Sequence, residues 1–302
     1  MKLGVMGASI EVGLPWAPLA STLSILSTTS QTGVPMQYPG RVIKAGERNG
    51  AIVMAVKARL NEALGLTGDQ LLAIDNPNFG PKMTQVVKLF QARSVDSQGV
   101  PLKTDGEIGS VGWEVLFGAE SVPEATQASG DLLREALALA QAEEAAQVRE
   151  VRPPSNRGPR VDEYQTRTGM KLKPGVEGFA WCACFVYFCF DEAARKLGRK
   201  NPVTKTAGCL DHWNRSRDAG IAQVSGTRAT NKPELVRPGM IFIMDFGGGK
   251  GHTGIVESVH GGFITTIEGN SNNQGSSDGV GVFRLTRKIN TINKGFIDYG
   301  AA

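Results

Sequence analysis

Residues 179–190, FAWCACFVYFCF, form an apolar run that holds three of the chain's four cysteines within eight positions. Read as a helix, the run leaves those cysteines few ways to act together. Positions 182 and 189 are about 700° apart and share a face, yet lie roughly 10 Å apart along the axis. A disulfide needs Cα atoms within about 7 Å. Cys182 and Cys184 are about 200° apart and point to opposite sides. Zinc needs four converging ligands, commonly from paired CxxC or HxxxH units, and the run supplies none. A disulfide within this helix and a metal centre are therefore excluded. Cys184 and Cys189, set among Phe185, Val186, Phe188 and Phe190, are expected to be small core hydrophobes. Cys182 differs by position. Gly175 and Gly178 precede it in a loop, which puts it in the first helical turn. There the unpaired N–H groups and the helix dipole favour a thiolate and can hold an oxyanion. A helix-start cysteine is more often structural than catalytic. As a nucleophile, Cys182 needs a histidine base and an orienting group.

With 302 residues the chain is long enough for about two domains. A formal charge of +4 with scattered basic residues describes a solvated surface, and no Lys/Arg run interleaved with aromatics points to nucleic acid. Residues 12–40 are uncharged, but Pro15, Pro18, Pro35 and Pro39 and the run STLSILSTTS interrupt them. Neither a stable membrane span nor a signal peptide is expected there. Residues 1–45 read as a weakly structured arm. Four cysteines are too few for a disulfide scaffold, which fits synthesis in a reducing compartment.

Two halves follow the arm. GAIVMAVKARLNEALG places Val53, Val56, Leu60 and Leu64 at helical spacing with Gly65 as a stop, and GPKMTQVVKLFQ does the same with Met83, Val86, Val87 and Phe90. With the turn-rich pieces around them they make a small all-α module over residues 46–118. Asp75, Phe79, Gly80, Thr84, Phe90 and Gln91, then Asp105, Gly106, Gly109 and Trp113, resemble the motif of the three-helix peptidoglycan-binding domain. The sequence departs from it at Gly112, where that family usually has Thr, and at Val56-Lys57. The plain alternative is a generic three-helix adaptor. Residues 119–130 read as a linker. DLLREALALAQAEEAAQVREV is amphipathic, with Leu132, Leu133, Ala136, Leu137 and Ala140 on one side, and is expected to open a second domain over residues 131–302. A polar loop, PPSNRGPRVDEYQ, the cysteine helix, a short helix near LDHWNRS and a β-rich tail from Gly239 complete the pattern. Helices first and strands second make it α+β.

The chain has three histidines. His212 lies in the LDHWNRS helix and His260 in the turn VHGGF. His252 opens a strand after the flexible loop FGGGKG, where a side chain can face a cleft. HTGIVESV-HGG-FITTIEGN reads as a hairpin. If its loop has one or three residues, with Val259 facing Phe263, then His252 lies opposite Asn270 and Gly254 opposite Glu268. His252, Glu268 and Asn270 then share one face, with Gly254 leaving room above its strand. A two-residue loop would shift the register and turn Glu268 away.

WCACFV, GHTGIV and IEGN, in that order, resemble the CHAP domain, a cysteine- and histidine-dependent amidohydrolase/peptidase with a papain-like fold. The resemblance reaches from about residue 131 to the C-terminus, departing at Met240, where the family often has Asp. It implies Cys182 as nucleophile, His252 as base and acid, Glu268 as the group orienting His252, and Asn270 as an accessory polar residue. Some relatives carry calcium in an Asp-rich loop before the nucleophile. Here TGMKLKPGVEG has only Glu177, so neither metal nor other cofactor is expected.

Together the resemblances imply an endolysin-like peptidoglycan hydrolase, cutting an amide of the peptide stem or cross-bridge, with bacterial peptidoglycan as partner. It would be made in the cytoplasm and reach the wall as a phage lysin or an injected effector. The rivals are a non-catalytic wall-binding or virion protein keeping a hydrolase fold, and a thiol amidase acting on another amide. The oligomeric state is not legible.

Overall fold

Nine consecutive residues of the cysteine run, 182–190, are buried, so its helix must be covered on every side rather than laid along a surface. In the computed structural model, which describes residues 36–275 and 279–302, this helix is α6 (Cys182–Lys196). Helices α4 (Asp131–Ala145) and α5 (Pro159–Arg167) cover it on one side, and a sheet covers the other. The stripe Leu132, Leu133, Ala136 and Ala140 of α4 is buried in this core. Glu143 of α4 accepts from the Tyr164 hydroxyl of α5 at 2.5 Å and pairs with Arg160.

The expected polar loop at 153–165 is in part α5. Pro159 supplies a preset φ at the first turn. Asp162 pairs with Arg157 at 2.8 Å, and Val161 and Tyr164, three apart, are buried. Val161 and Tyr164 among six polar residues are too weak a stripe to read without that packing.

Helix α7 (Cys209–Asp218) precedes β1 (Ala222–Ser225) and the short α8 (Gly226–Asn231). The remaining strands are β2 (Ile241–Gly247), β3 (Lys250–His260), β4 (Phe263–Ser271), β5 (Gly281–Lys288) and β6 (Gly295–Asp298). They form one antiparallel sheet in the order β1-β6-β2-β3-β4-β5. The architecture is α+β, and β1 is its unforeseen strand.

The hairpin loop differs from the sequence expectation. His260 pairs with Phe263, so the loop is the two residues Gly261 and Gly262, both at positive φ. That is the turn a tight hairpin prefers. The shift this loop imposes is cancelled by a β-bulge at Glu257. Val259 faces Ile264 and Ser258 faces Thr265, but Val256 faces Thr266 and Ile255 faces Ile267. One extra residue on β3 returns the strand to the register that puts Glu268 beside His252.

A second core is built from α1 (Gly50–Leu64), α2 (Pro81–Arg93) and α3 (Ser110–Phe117). Tyr38 and Ile43, read from sequence as part of the arm, lie in it, and Ile43 bridges to Ile108. Several residues behind the peptidoglycan-binding resemblance act as mortar. Gln91 Nε2 donates to Asp105 Oδ1 at 3.0 Å and to the Glu107 carbonyl at 2.8 Å, and its Oε1 accepts from the Gly106 N–H at 2.8 Å. Trp113 is fully buried and stacks on Phe117 at 4.3 Å.

The hairpin tip docks the sheet onto this module. A Cβ at Gly262 would lie 2.5 Å from Ser110 Oγ, and one at Gly261 would run into Glu114. Lys288 reaches the buried Asp96 at 2.7 Å, and His260 Nδ1 meets Glu124 at 2.9 Å. The glycine pair thus serves both the turn and the close approach to α3.

Candidate active site

Cys182 is the first residue of α6, and no described side chain caps that helix. The Ala183 amide is directed at the Cys182 sulfur, as first-turn N–H groups are when no cap takes them. Trp181, just before it, is buried and donates Nε1–H to Glu150 at 3.0 Å, which fixes the helix start from below.

His252 and Glu268 come from adjacent strands. His252 Nε2 donates to Glu268 Oε2 at 2.7 Å, and both side chains are buried. Its other nitrogen, Nδ1, makes no hydrogen bond among the described residues and is left for the neighbouring Cys182. Gly254 makes the pairing fit. A Cβ there would stand 2.7 Å from Glu268 Cγ and 2.8 Å from a Phe242 ring carbon. Gly269, next to Glu268, lets β4 lie against α6, since its Cβ would be 2.5 Å from Phe185 Cβ.

Glu268 is held in turn by two groups not anticipated from the sequence. Arg287 of β5 grips it with two bonds, Nε to Oε1 at 2.5 Å and a terminal nitrogen to Oε2 at 2.6 Å. Thr266 donates its hydroxyl to Oε1 at 2.5 Å. Burial alone would push this carboxyl up, but Arg287 and His252 hold it near 2. The signal for Arg287 was period two on β5, but its partner strand had to be known first.

Burial also opposes charge on His252, yet Cys182 and Glu268 outweigh it and raise the imidazole to about 9. The Cys182 thiol is pulled well below its ordinary range. The largest cause is Cys209, whose Sγ lies 3.5 Å from Cys182 Sγ; burial opposes, and His252 and the Ala183 amide add to the lowering. Thiolate, imidazolium, carboxylate and guanidinium therefore alternate in sign along one chain of contacts. Hydrogen bonds join the His252, Glu268 and Arg287 members, and Cys182 lies beside the remaining His252 nitrogen.

The other cysteines and histidines do different work. Cys184 contacts the Thr168 hydroxyl at 3.3 Å, and burial pushes its thiol up to about 12. Burial likewise raises Cys189 well above the usual thiol range. His212 is buried against the Tyr299 hydroxyl at 2.9 Å, and burial lowers it to about 4, which leaves it neutral. Asn270 is buried at φ +56°, a conformation asparagine tolerates. The regular alternation of β4 ends there, so strand periodicity does not place Asn270 on the His252 face. Its neighbourhood is where β4 shifts register against β5, between Glu268 and Ser271.

Among the described residues no three His, Cys, Asp or Glu side chains converge as a metal site, and no helix is long and apolar enough to cross a membrane. No curated protein and no solved structure matches the chain. One family model does. It covers residues 174–270, about a third of the chain, from the loop before α6 to Asn270, and so takes in Cys182, His252 and Glu268 but not Arg287. That span is similar to the CHAP domain, the family of cysteine- and histidine-dependent amidohydrolases/peptidases that its motifs resemble.

Proposed function

We propose that the protein hydrolyses an amide bond of bacterial peptidoglycan, in the peptide stem or the cross-bridge. The observation that carries this reading is the buried chain Cys182–His252–Glu268 at the start of α6, within the span similar to the CHAP domain. The Cys182 thiolate attacks the amide carbonyl while N–H groups of the first turn of α6 take up the developing oxyanion. His252, charged at neutral pH, gives its proton to the leaving amine. It then accepts one from the water that releases the thioester. Glu268 keeps the imidazole in position and favours its charged form. Asn270 assists from the end of β4.

The helical module over residues 46–118 is proposed to hold the enzyme to the wall. Its rigid docking through the β3–β4 hairpin tip would present the sheet domain at a fixed distance from the polymer, and two weak attachments to one polymer add avidity. Acting at the wall, the protein would arrive there as a phage lysin or as an injected effector.

Incubation with purified sacculi, followed by mass spectrometry of the soluble fragments, tests this. New free amino and carboxyl ends within the stem or cross-bridge should appear with the wild type and be absent with Cys182→Ala. Cosedimentation of Cys182→Ala with sacculi should persist. A folded wild type that releases no such ends from several wall chemotypes contradicts the reading.

A further inference from the structure

Two helices of the sheet domain begin with a cysteine, and their sulfurs meet. Cys182 opens α6 and Cys209 opens α7, with Sγ atoms 3.5 Å apart. They are 27 residues apart in sequence, on elements that nothing in the sequence pairs. Cys182 is 4% exposed and Cys209 is 7% exposed, so each is nearly closed to bulk solvent while open to the other. The remaining thiols are occupied elsewhere, Cys184 against Thr168 and Cys189 in the core.

We propose that Cys182 and Cys209 are a reversible disulfide site, through which a hydroperoxide masks the nucleophile. A disulfide spans about 2.05 Å, so the sulfurs need to approach by roughly 1.5 Å. Small side-chain rotations at two helix starts can supply that movement.

The chemistry balances in two steps. The Cys182 thiolate attacks one oxygen of the hydroperoxide. An S–O bond forms, the O–O bond breaks, and the other oxygen leaves as water or alcohol after taking a proton. Cys209, giving up its proton, then attacks the sulfenyl sulfur. The S–S bond forms, the S–O bond breaks, and the hydroxyl leaves as water. Two thiols lose two electrons, and the peroxide gains them. With the resolving sulfur already in contact, the second step competes with further oxidation of the sulfenic acid. A thiol reductant reverses the bond by exchange.

The inference uses Cys182 as a low-pKa thiol and does not depend on what polymer is cut, so its test reads sulfur rather than lysis. The full chain is treated with hydrogen peroxide, and its peptides are mapped by mass spectrometry without reduction. The expected result is a linked pair of peptides carrying Cys182 and Cys209, two hydrogens lighter than the separate peptides. Iodoacetamide labelling of Cys182 should fall at least about tenfold and return after dithiothreitol. In Cys209→Ser, compared with its own untreated labelling, the same dose should carry Cys182 to sulfinic acid, and dithiothreitol should not restore labelling. Wild type that accumulates sulfinic Cys182 without the link, links Cys182 to another cysteine, or resists peroxide altogether overturns the proposal. If the link forms but sacculi are not cut, the substrate reading fails and the disulfide site stands.

Discussion

Cys182→Ala should lower amide hydrolysis on the order of 10⁴-fold or more, because removal of a nucleophile leaves only binding and oxyanion contacts. The fold should survive. The residue is at the start of α6 rather than in its interior, and alanine suits a helix. Sedimentation and thermal unfolding check this, with turnover measured on the same preparation. Cys182→Ser is expected to be nearly as inactive, since a hydroxyl does not ionise where a thiol does. Cys184→Ser and Cys189→Ser should instead keep turnover per folded molecule, and Cys189→Ser should lose the more stability, because Cys189 lies in the apolar core while Cys184 already faces the Thr168 hydroxyl. Normal turnover by folded Cys182→Ser removes the nucleophile from the account.

Glu268→Gln should cost roughly 10²–10³ in kcat, less than the loss of an orienting carboxylate in a serine triad. The smaller figure reflects the helix start and Cys209, which lower Cys182 independently of Glu268. Stability should fall too, by as much as roughly 3–5 kcal/mol, because Arg287 loses its carboxylate and is left as a nearly buried guanidinium. The two effects separate in the double variant Glu268→Gln/Arg287→Met. Unfolding midpoint should largely recover, and kcat should stay low because His252 still lacks its anion. The acid dependence has a fixed sign. A carboxyl held near 2 gives stabilisation that is full above the ordinary carboxylate range of about 4.3 and is lost as pH falls from there towards about 2. Asn270→Ala should cost less than Glu268→Gln. Glu257→Gln, whose side chain meets Gln141 and Arg284, should keep kcat within about twofold, since it touches no group of the catalytic chain. Glu257 critical with Glu268 silent would contradict the arrangement.

The helices were legible where apolar periodicity was strong, as in α1, α2 and α6, and the α+β order followed from them. Helix α5 was hidden by its charge density, and β1 by its length of four residues and its pairing with β6 at the far end of the chain. The hairpin is the instructive case. His252 and Glu268 meet as the sequence register implies, but through a two-residue glycine turn and a compensating bulge at Glu257. A bulge leaves no composition mark on a strand; the docking of Gly261 and Gly262 on α3 is what favours the tight turn. Arg287 and Cys209 were invisible for one shared reason. Each matters only through a neighbour supplied by tertiary packing, β4 for Arg287 and α6 for Cys209.

The central claim is that Cys182 stands as a thiolate beside a charged His252. Its most direct test is the rate of iodoacetamide alkylation at Cys182, followed by peptide mapping from pH 5 to pH 10. With the thiol held well below its ordinary range and His252 near 9, the rate should be nearly flat from about pH 6 to 8. It should change again only as the imidazolium loses its proton near 9. Glu268→Gln should bring that upper transition down. An ordinary thiol, with pKa about 8.5, would instead slow on the order of 100-fold between pH 8.5 and 6. A wild-type profile of that ordinary form, unchanged by Glu268→Gln, would contradict the account.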